Sequence, residues 1–331
     1  MTRAVDVAGR ELPPNTALGT RNLIINGDMR IAQRGTSATG LTGAGYHTVD
    51  RFRTALGTGG TWTQTQDTSV PSGQGFSNSL KLSCTTANTS LSASSLLAIE
   101  TRFEGQNIQH LKYGTSSAEK LTLSFWVKSN KTGTYIAELY SSDSSRQVSK
   151  SYTIDTADTW EKKTLTYDGD TTSGFDDDNN NSMTLYMWLF AGTTFNSGTL
   201  NTSWASLTNA NRVVGQVNLA DSTSNYINIT GVQLEVGEEA TEFERRPYDM
   251  ELARCYRYYY KYSGNNIHAG LYSSGKYIGH IWFPTIMRAT PTIADLTGNY
   301  NIIEGVSNSN MYMMRLADNS YVSTYSASAE L

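Results

Sequence analysis

Strict alternation through Leu121-Thr-Leu-Ser-Phe-Trp-Val-Lys128 constrains this chain more than any other single feature. Leu121, Leu123, Phe125 and Val127 fall on one side of an extended chain and Thr122, Ser124, Trp126 and Lys128 on the other. A period of two cannot make an amphipathic helix, so the segment predicts a half-buried strand. Met183 to Phe190 alternates in the same way, with Met183, Leu185, Met187 and Leu189 in one set and Thr184, Tyr186, Trp188 and Phe190 in the other. Leu23 to Met29, Ser79 to Cys84, Thr134 to Tyr140, Val148 to Ile154, Thr159 to Tyr167 and Tyr226 to Val236 are further strand candidates, separated by turns such as Ser129-Asn-Lys-Thr-Gly133. Ser and Thr fill about a quarter of the positions, and 20 Tyr stand against 9 Phe and 6 Trp, a usage that favours extended structure with polar outer faces. Many short strands without intervening helices predict an all-β chain, a β-sandwich of jelly-roll type.

The texture divides the chain into four parts. Residues 1–21 hold Gly9, Pro13, Pro14 and Gly19 with no apolar pattern, and read as an N-terminal arm that docks on a partner or stays without a core of its own. Residues 22–245 are the jelly roll. Residues 246–262 switch to helical spacing: Pro247 stands at a helix start, Asp249 and Glu251 lie in its first turn, and Leu252, Cys255, Tyr259 and Tyr262 share a face. This predicts a linker helix that can pass into a strand along the Tyr run. Strand signals at 268–272, 277–283, 292–296, 302–306 and 311–316 make residues 263–331 a small C-terminal β domain.

Several functions are disfavoured. With 26 basic against 30 acidic residues and a net charge of −4, the scattered cations form no stripe for nucleic acid. No run approaches the ~20 apolar residues of a membrane span, and the N-terminus lacks a signal-peptide pattern, so no membrane insertion is expected. The two cysteines, Cys84 and Cys255, read as free thiols. His47, His110, His268 and His280 sit in unrelated segments with no ligand spacing, and no P-loop or nucleophile elbow is present. Gly43 to Gly45 and Gly57 to Gly60 read as flexible turns. A glycosidase needs only two carboxylates ~5 to 10 Å apart, which sequence does not exclude. The acidic run Gly174-Phe-Asp-Asp-Asp-Asn-Asn-Asn181 reads as a solvated loop, with a calcium loop as the minority alternative. The chain is therefore expected not to be an enzyme and to need no cofactor.

A binding surface is the better-supported role. Trp126, Tyr186 and Trp188 occupy the second phase of strands whose first phase is core, and Tyr140 shares a phase with Ile136 and Glu138. Aromatic faces beside Thr, Ser, Glu and Lys can stack on sugar rings while the polar neighbours bond hydroxyls. Trp126, Tyr140, Tyr186 and Trp188 are thus glycan-binding candidates. The competing reading packs the same rings against a neighbouring subunit or the N-terminal arm. Tyr256, Tyr258, Tyr259, Tyr260 and Tyr262 are candidates for oligomer contacts.

Asn22-Leu-Ile-Ile-Asn-Gly-Asp-Met29, Ser79-Leu-Lys-Leu-Ser83, Leu121 to Ser129, Trp160-Glu-Lys-Lys-Thr-Leu-Thr166 and Ile229-Thr-Gly-Val-Gln-Leu-Glu-Val-Gly237 resemble the strands of carbohydrate-binding-module-like jelly rolls. Ile229 to Gly237, followed by Thr241-Glu-Phe-Glu-Arg-Arg-Pro247, Glu251 to Tyr260 and Phe283 to Thr292, resembles tailed-bacteriophage virion proteins of the tail-fibre or tail-spike kind. The resemblance implies a virion structural protein, made in the host cytoplasm and placed in the tail. It implies a homotrimer docked to other virion proteins through the arm and attached to host surface glycans. An architectural head-decoration or tail-adaptor role without glycan binding is the alternative. Such relatives often hold a structural calcium with an acidic pair before the last strand. Here that position reads Asn228-Ile-Thr-Gly231, which leaves Asp28 as a candidate ligand.

Overall fold

A computed structural model describes residues 21–331 apart from 269, 274–275, 300–301 and 316–320. The predicted docking arm, residues 1–20, lies outside the described residues. The strands in chain order are β1 (Ser37–Leu41), β2 (Gly45–Tyr46), β3 (Arg53–Gly57), β4 (Thr61–Asp67), β5 (Ser79–Thr86), β6 (Leu96–Glu104), β7 (Leu121–Ser129), β8 (Gly133–Ser141), β9 (Arg146–Ile154), β10 (Glu161–Tyr167), β11 (Asn181–Ala191), β12 (Ala205–Ser206) and β13 (Tyr226–Val236). They form a six-stranded sheet, β1-β4-β5-β13-β7-β10, and a seven-stranded sheet, β12-β9-β8-β11-β6-β3-β2. Every pairing is antiparallel, and the sheets face each other across one apolar core, a jelly-roll β-sandwich.

The alternation places that core. Leu121, Leu123, Phe125 and Val127 of β7 and Met183, Leu185, Met187 and Leu189 of β11 all point inward and are buried. β11 departs from unbroken alternation at its end, because a register shift between Trp188 and Phe190 turns Phe190 into the core as well, 6.1 Å from the Trp62 ring. The segment Leu23 to Met29, predicted as a strand, is not one. Asn22 and Asn26 take over backbone hydrogen bonding there: Asn22 Oδ1 accepts from the amides of Ile24 and Leu234, and Asn26 Nδ2 donates to the carbonyls of Ile31 and Asp50. The chain then turns through positive φ at Asn26 and Met29, a conformation that asparagine tolerates well and methionine does not.

A helix, α1 (Thr193–Asn196), lies in the loop after β11, and a longer one, α2 (Tyr248–Tyr256), follows the sandwich. α2 is shorter than the predicted linker helix of 246–262, since β14 (Tyr259–His268) begins three residues beyond it. Then come β15 (Gly270–Ser273), β16 (Lys276–Trp282), β17 (Thr292–Asn299), β18 (Ile302–Val306), β19 (Asn310–Arg315) and β20 (Tyr321–Ser328), in a three-stranded sheet, β14-β20-β17, and a four-stranded sheet, β15-β16-β19-β18, with a second apolar cluster.

The Tyr run explains the early end of α2. Tyr258 and Tyr259, read from sequence as oligomer contacts, are buried within the chain at 2% and 6% exposure. The Tyr258 ring lies 3.4 Å from the Arg51 guanidinium carbon and its hydroxyl donates to Glu104, while the Arg34 guanidinium stacks 3.5 Å from the Tyr259 ring. Tyr260 and Tyr262 pack on Tyr325 of the second cluster, and Tyr256 meets Tyr260 edge to face. Successive residues of an extended chain point to opposite sides, so Tyr259 reaches Arg34 while Tyr260 and Tyr262 reach Tyr325, a division a helix would not make.

Charged groups fasten the C-terminal sheets to the sandwich. Glu104 accepts from Arg257 at 2.8 and 2.6 Å, Glu330 pairs with the buried Arg51 and with Arg34, and Arg102 donates to the Leu331 carbonyl. The acidic run contributes too: Asn179 Nδ2 donates to the Arg288 carbonyl, and Arg288 Nη1 returns a bond to the Asn179 carbonyl, 2.9 Å away. Asp176 and Asp177 face solvent, as a solvated loop requires.

At this joint, burial raises the Asp50 carboxyl to about 7, against hydrogen bonds from Gln33 and the nearby Arg34. Between the ordinary value of 3.8 and about 7 the folded state therefore binds more protons than the unfolded chain. The Asp50 contribution to stability should fall as pH rises through that window and level off above it. Urea unfolding across pH should show this fall in the wild-type chain, and Asp50→Asn should flatten it. Parallel pH profiles for the two proteins would refute the assignment.

Candidate functional site

The four sequence-predicted glycan residues lie on two opposite faces. Tyr140 on β8 and Tyr186 and Trp188 on β11 share the outer face of the seven-stranded sheet, whereas Trp126 on β7 is on the outer face of the other sheet. Two sheet layers about 10 Å apart separate them, so they form no common platform.

On the seven-stranded side the expectation of a displayed Trp188 is corrected. Its exposure is only 2%, because residues 192–217 fold back over the sheet and lay Phe195, Leu200 and Val213 on it. Arg212, in that covering segment, inserts its guanidinium among Tyr140, Tyr186, Trp188 and Phe195, 5.1 to 5.9 Å from the ring centres. Glu138, fully buried between the strands, accepts from Arg212 Nε at 2.8 Å and Nη2 at 3.0 Å and from the Trp188 indole N–H at 2.8 Å. Burial pushes the Glu138 carboxyl up, and Arg212 acts against that shift. The row continues through the register pairs Glu138 with Tyr186, Tyr186 with Glu100 and Glu100 with Arg53, and Glu100 pairs with both Arg53 and Arg102 at 2.7 Å. These aromatic and charged groups serve one another, and Tyr140 and Tyr186 are left half-buried at the rim. Arg212 escaped sequence reading because its loop has no period. The available signal was Glu138, an acid on an otherwise apolar and aromatic strand phase, which demands a buried cation.

On the six-stranded side an open groove of about 290 Å³ lies over β7 and its neighbours, lined by Gly73, Gln74, Phe76, Trp126, Lys162 and Phe243, with Ser124, Gly231, Glu242 and Arg245 completing it. Each wall follows from a local feature. β13 shifts register between Thr230 and Gln233, and Gly231 takes φ +63° there; a Cβ at that position would stand 2.6 Å from the Phe76 ring. The bulge with its bare backbone lets Phe76 lie on the sheet, where Phe243 meets it edge to face at 5.2 Å. Arg245 then ties the 73–76 turn in place by donating to the carbonyls of Gln74 and Gly75 at 2.6 and 2.7 Å. The floor is Trp126, half-buried, with Lys162 directly opposite it on β10 and Thr230 opposite it on β13. Lys162 is exposed and has no ion-pair partner among the described residues.

This arrangement offers an aromatic plate with an adjacent amine, an amide and a carboxylate, groups that can stack and hydrogen-bond. Glu242 is the one acid lining the groove. Of the groove residues, sequence reading singled out Trp126 alone. Phe243 and Arg245 lay in the quoted Thr241 to Pro247 segment without an assigned role, and Lys162 needed the β7–β10 register to be placed beside Trp126.

Asp28, the calcium candidate, pairs with Arg30 at 3.1 Å, and burial raises its pKa. The neighbouring Glu244 and Glu251 are both paired with Arg246, so a guanidinium supplies the positive charge at that spot. No group of three or more His, Cys, Asp or Glu side chains suited to a metal ion occurs among the described residues.

No protein-family model and no curated protein matches the chain. Among solved structures it is similar to the enzymatically active domain of tailspike protein 4 of bacteriophage CBA120, at 13% identity and a TM-score of 0.32, over 65% of this chain and 21% of the tailspike chain. It is also similar to the family 11 carbohydrate-binding module of a cellulosomal cellulase from Clostridium thermocellum, at 14% identity and a TM-score of 0.28, over 68% of this chain and 99% of the module. A third is the N-terminal cellulose-binding domain of a β-1,4-glucanase from Cellulomonas fimi, at 9% identity and a TM-score of 0.25, over 63% of this chain and all of that domain (100%). All three likenesses are distant.

Proposed function

We propose that this chain is a tail-fibre or related receptor-binding component of a tailed-phage virion, and that it attaches to host surface glycans through the Trp126 groove without catalysing their cleavage. The observation that carries the glycan reading is the half-buried indole of Trp126 on the floor of an open groove, flanked by Lys162, Gln74 and Glu242. A sugar ring laid on the indole through its C–H face would present its hydroxyls to those polar groups. The virion reading is supported by the order of phage-like motifs along the sequence, from Ile229 to Thr292. A homotrimer docked into the tail through residues 1–20 belongs to the same proposal.

Trp126→Ala should weaken attachment to host cells by at least tenfold, the cost of about 1.5 to 2 kcal/mol expected for a central aromatic anchor. The β-sheet circular dichroism should be unchanged, because the side chain lies on the outer face. Unchanged attachment by a folded variant would remove the groove from the reading. Imaging of intact particles carrying a labelled chain tests location: density projecting from the tail is expected, and density on the head shell would favour the decoration role.

A further inference from the structure

We infer that the Trp126 groove selects acidic saccharides, with the carboxylate of a uronic or sialic acid residue held by Lys162. The inference rests on the glycan reading of the same groove and adds its chemical class.

Three cations on the outer face of the six-stranded sheet have no carboxylate partner among the described residues: Lys128, Lys162 and Arg245. The chain as a whole carries a net charge of −4, so such a cluster runs against its average surface. Lys162 stands directly opposite Trp126 in the β7–β10 register. Facing residues in an antiparallel pair have Cβ atoms about 4.5–5.5 Å apart, so the amine rises beside the indole plate where the substituents of a stacked ring would lie. Lys128 is two residues along β7 on the same side as Trp126, about 7 Å away. Its ammonium donates to Ser69 Oγ at 2.7 Å and lies 5.5 Å from the Trp160 ring. Lys128 and Trp160 thus place a second cation and a second aromatic beyond the groove, along the direction of the strand. Arg245 spends two of its donors on the carbonyls of Gln74 and Gly75, so it contributes field more than contact. The opposing charge is Glu242, on the same wall as Phe243. It suits a sugar hydroxyl donor and would repel a carboxylate placed at that wall, which orients the acidic group toward Lys162.

The full chain should be tested by affinity electrophoresis in gels containing polygalacturonate, hyaluronan or polysialic acid, each beside its carboxyl-reduced neutral form. Retention by at least one acidic polymer should exceed retention by its reduced form by about tenfold, the difference one charge-assisted hydrogen bond makes, and should decline as ionic strength rises. Lys162→Gln should erase that preference, bringing retention by the acidic polymer down to that of its reduced form measured with the same variant. Equal retention by acidic and reduced forms, an unaltered preference in Lys162→Gln, or no retention by any acidic polymer would each overturn the inference. Trp126→Ala separates this failure from failure of the glycan reading. Retention by neutral polymer that is lost in Trp126→Ala keeps the groove as a sugar site without charge selection, whereas host-cell attachment that survives Trp126→Ala removes the site itself.

Discussion

Glu138→Ala should destabilise the sandwich by about 3–5 kcal/mol, because it leaves a buried guanidinium without its counter-charge. Arg212 is held by two hydrogen bonds to Glu138 and is otherwise surrounded by Tyr140, Tyr186, Trp188 and Phe195, whose faces attract a cation but cannot accept two strong N–H bonds. The Trp188 indole N–H loses its acceptor in the same step. Residues 192–217 should then lift from the sheet, since Arg212 anchors their covering position. Chemical denaturation gives the stability change, and hydrogen exchange at the Phe195 and Val213 amides reports the loosening. Glu138→Gln loses the charge and replaces one of the two accepting oxygens by an NH2 group but keeps the other, so its cost should be smaller than that of the alanine variant. A loss below about 1 kcal/mol for the alanine variant would show the pair to be dispensable.

The second large effect is expected at the joint. Glu330→Ala removes the carboxylate facing Arg51, whose side chain is almost wholly buried, and Arg34, which is stacked on Tyr259. Burial alone would lower the pKa of Arg51, and the nearby Glu330 is the leading group that holds it above its ordinary value instead. Without that partner a buried charge is left with the Arg102 carbonyl and the Tyr258 ring, at a cost of about 3–5 kcal/mol. The loss should concentrate in the C-terminal sheets, so that hydrogen exchange at the β20 amides around the buried Val322, Tyr325 and Ala327 rises before exchange in the sandwich strands. Introducing Arg51→Met beside Glu330→Ala should recover part of it, since the uncompensated charge is then gone, and the double-mutant cycle measures the coupling. Additive losses in that cycle would mean the two side chains do not depend on each other.

The wall of the groove and the cover on the opposite face show why two halves of one sequence pattern led to different outcomes. β7 and β11 both present aromatics on their second phase, and alternation cannot distinguish a ring that meets solvent from one that meets the chain's own loop. Trp126 stays half-buried because Phe76 and Phe243 stand beside it without crossing it. Trp188 is buried because Arg212 supplies a cation for its ring and for Glu138 together. The linker tyrosines follow the same logic. Their abundance signalled rings in need of burial, and the partners turned out to be Arg51, Arg34 and Tyr325 of the same chain.

By itself the sequence determined the period-two segments, hence strands, hence which side of β7, β8 and β11 fills the core, because side chains alternate across a strand whatever the strand packs against. Leu121, Leu123, Phe125 and Val127 had to be interior for that reason alone. It also determined the start of α2, where Pro247, Asp249 and Glu251 suit the exposed amides of a first turn. Tertiary structure decided everything that depends on which strand lies next to which. The register that sets Lys162 against Trp126 joins residues from two strands, and the contacts of Glu138 with Arg212 and of Arg51 with Glu330 span 74 and 279 positions. Electrostatic and packing energies act through distance in space, and the sequence states distance only along the chain.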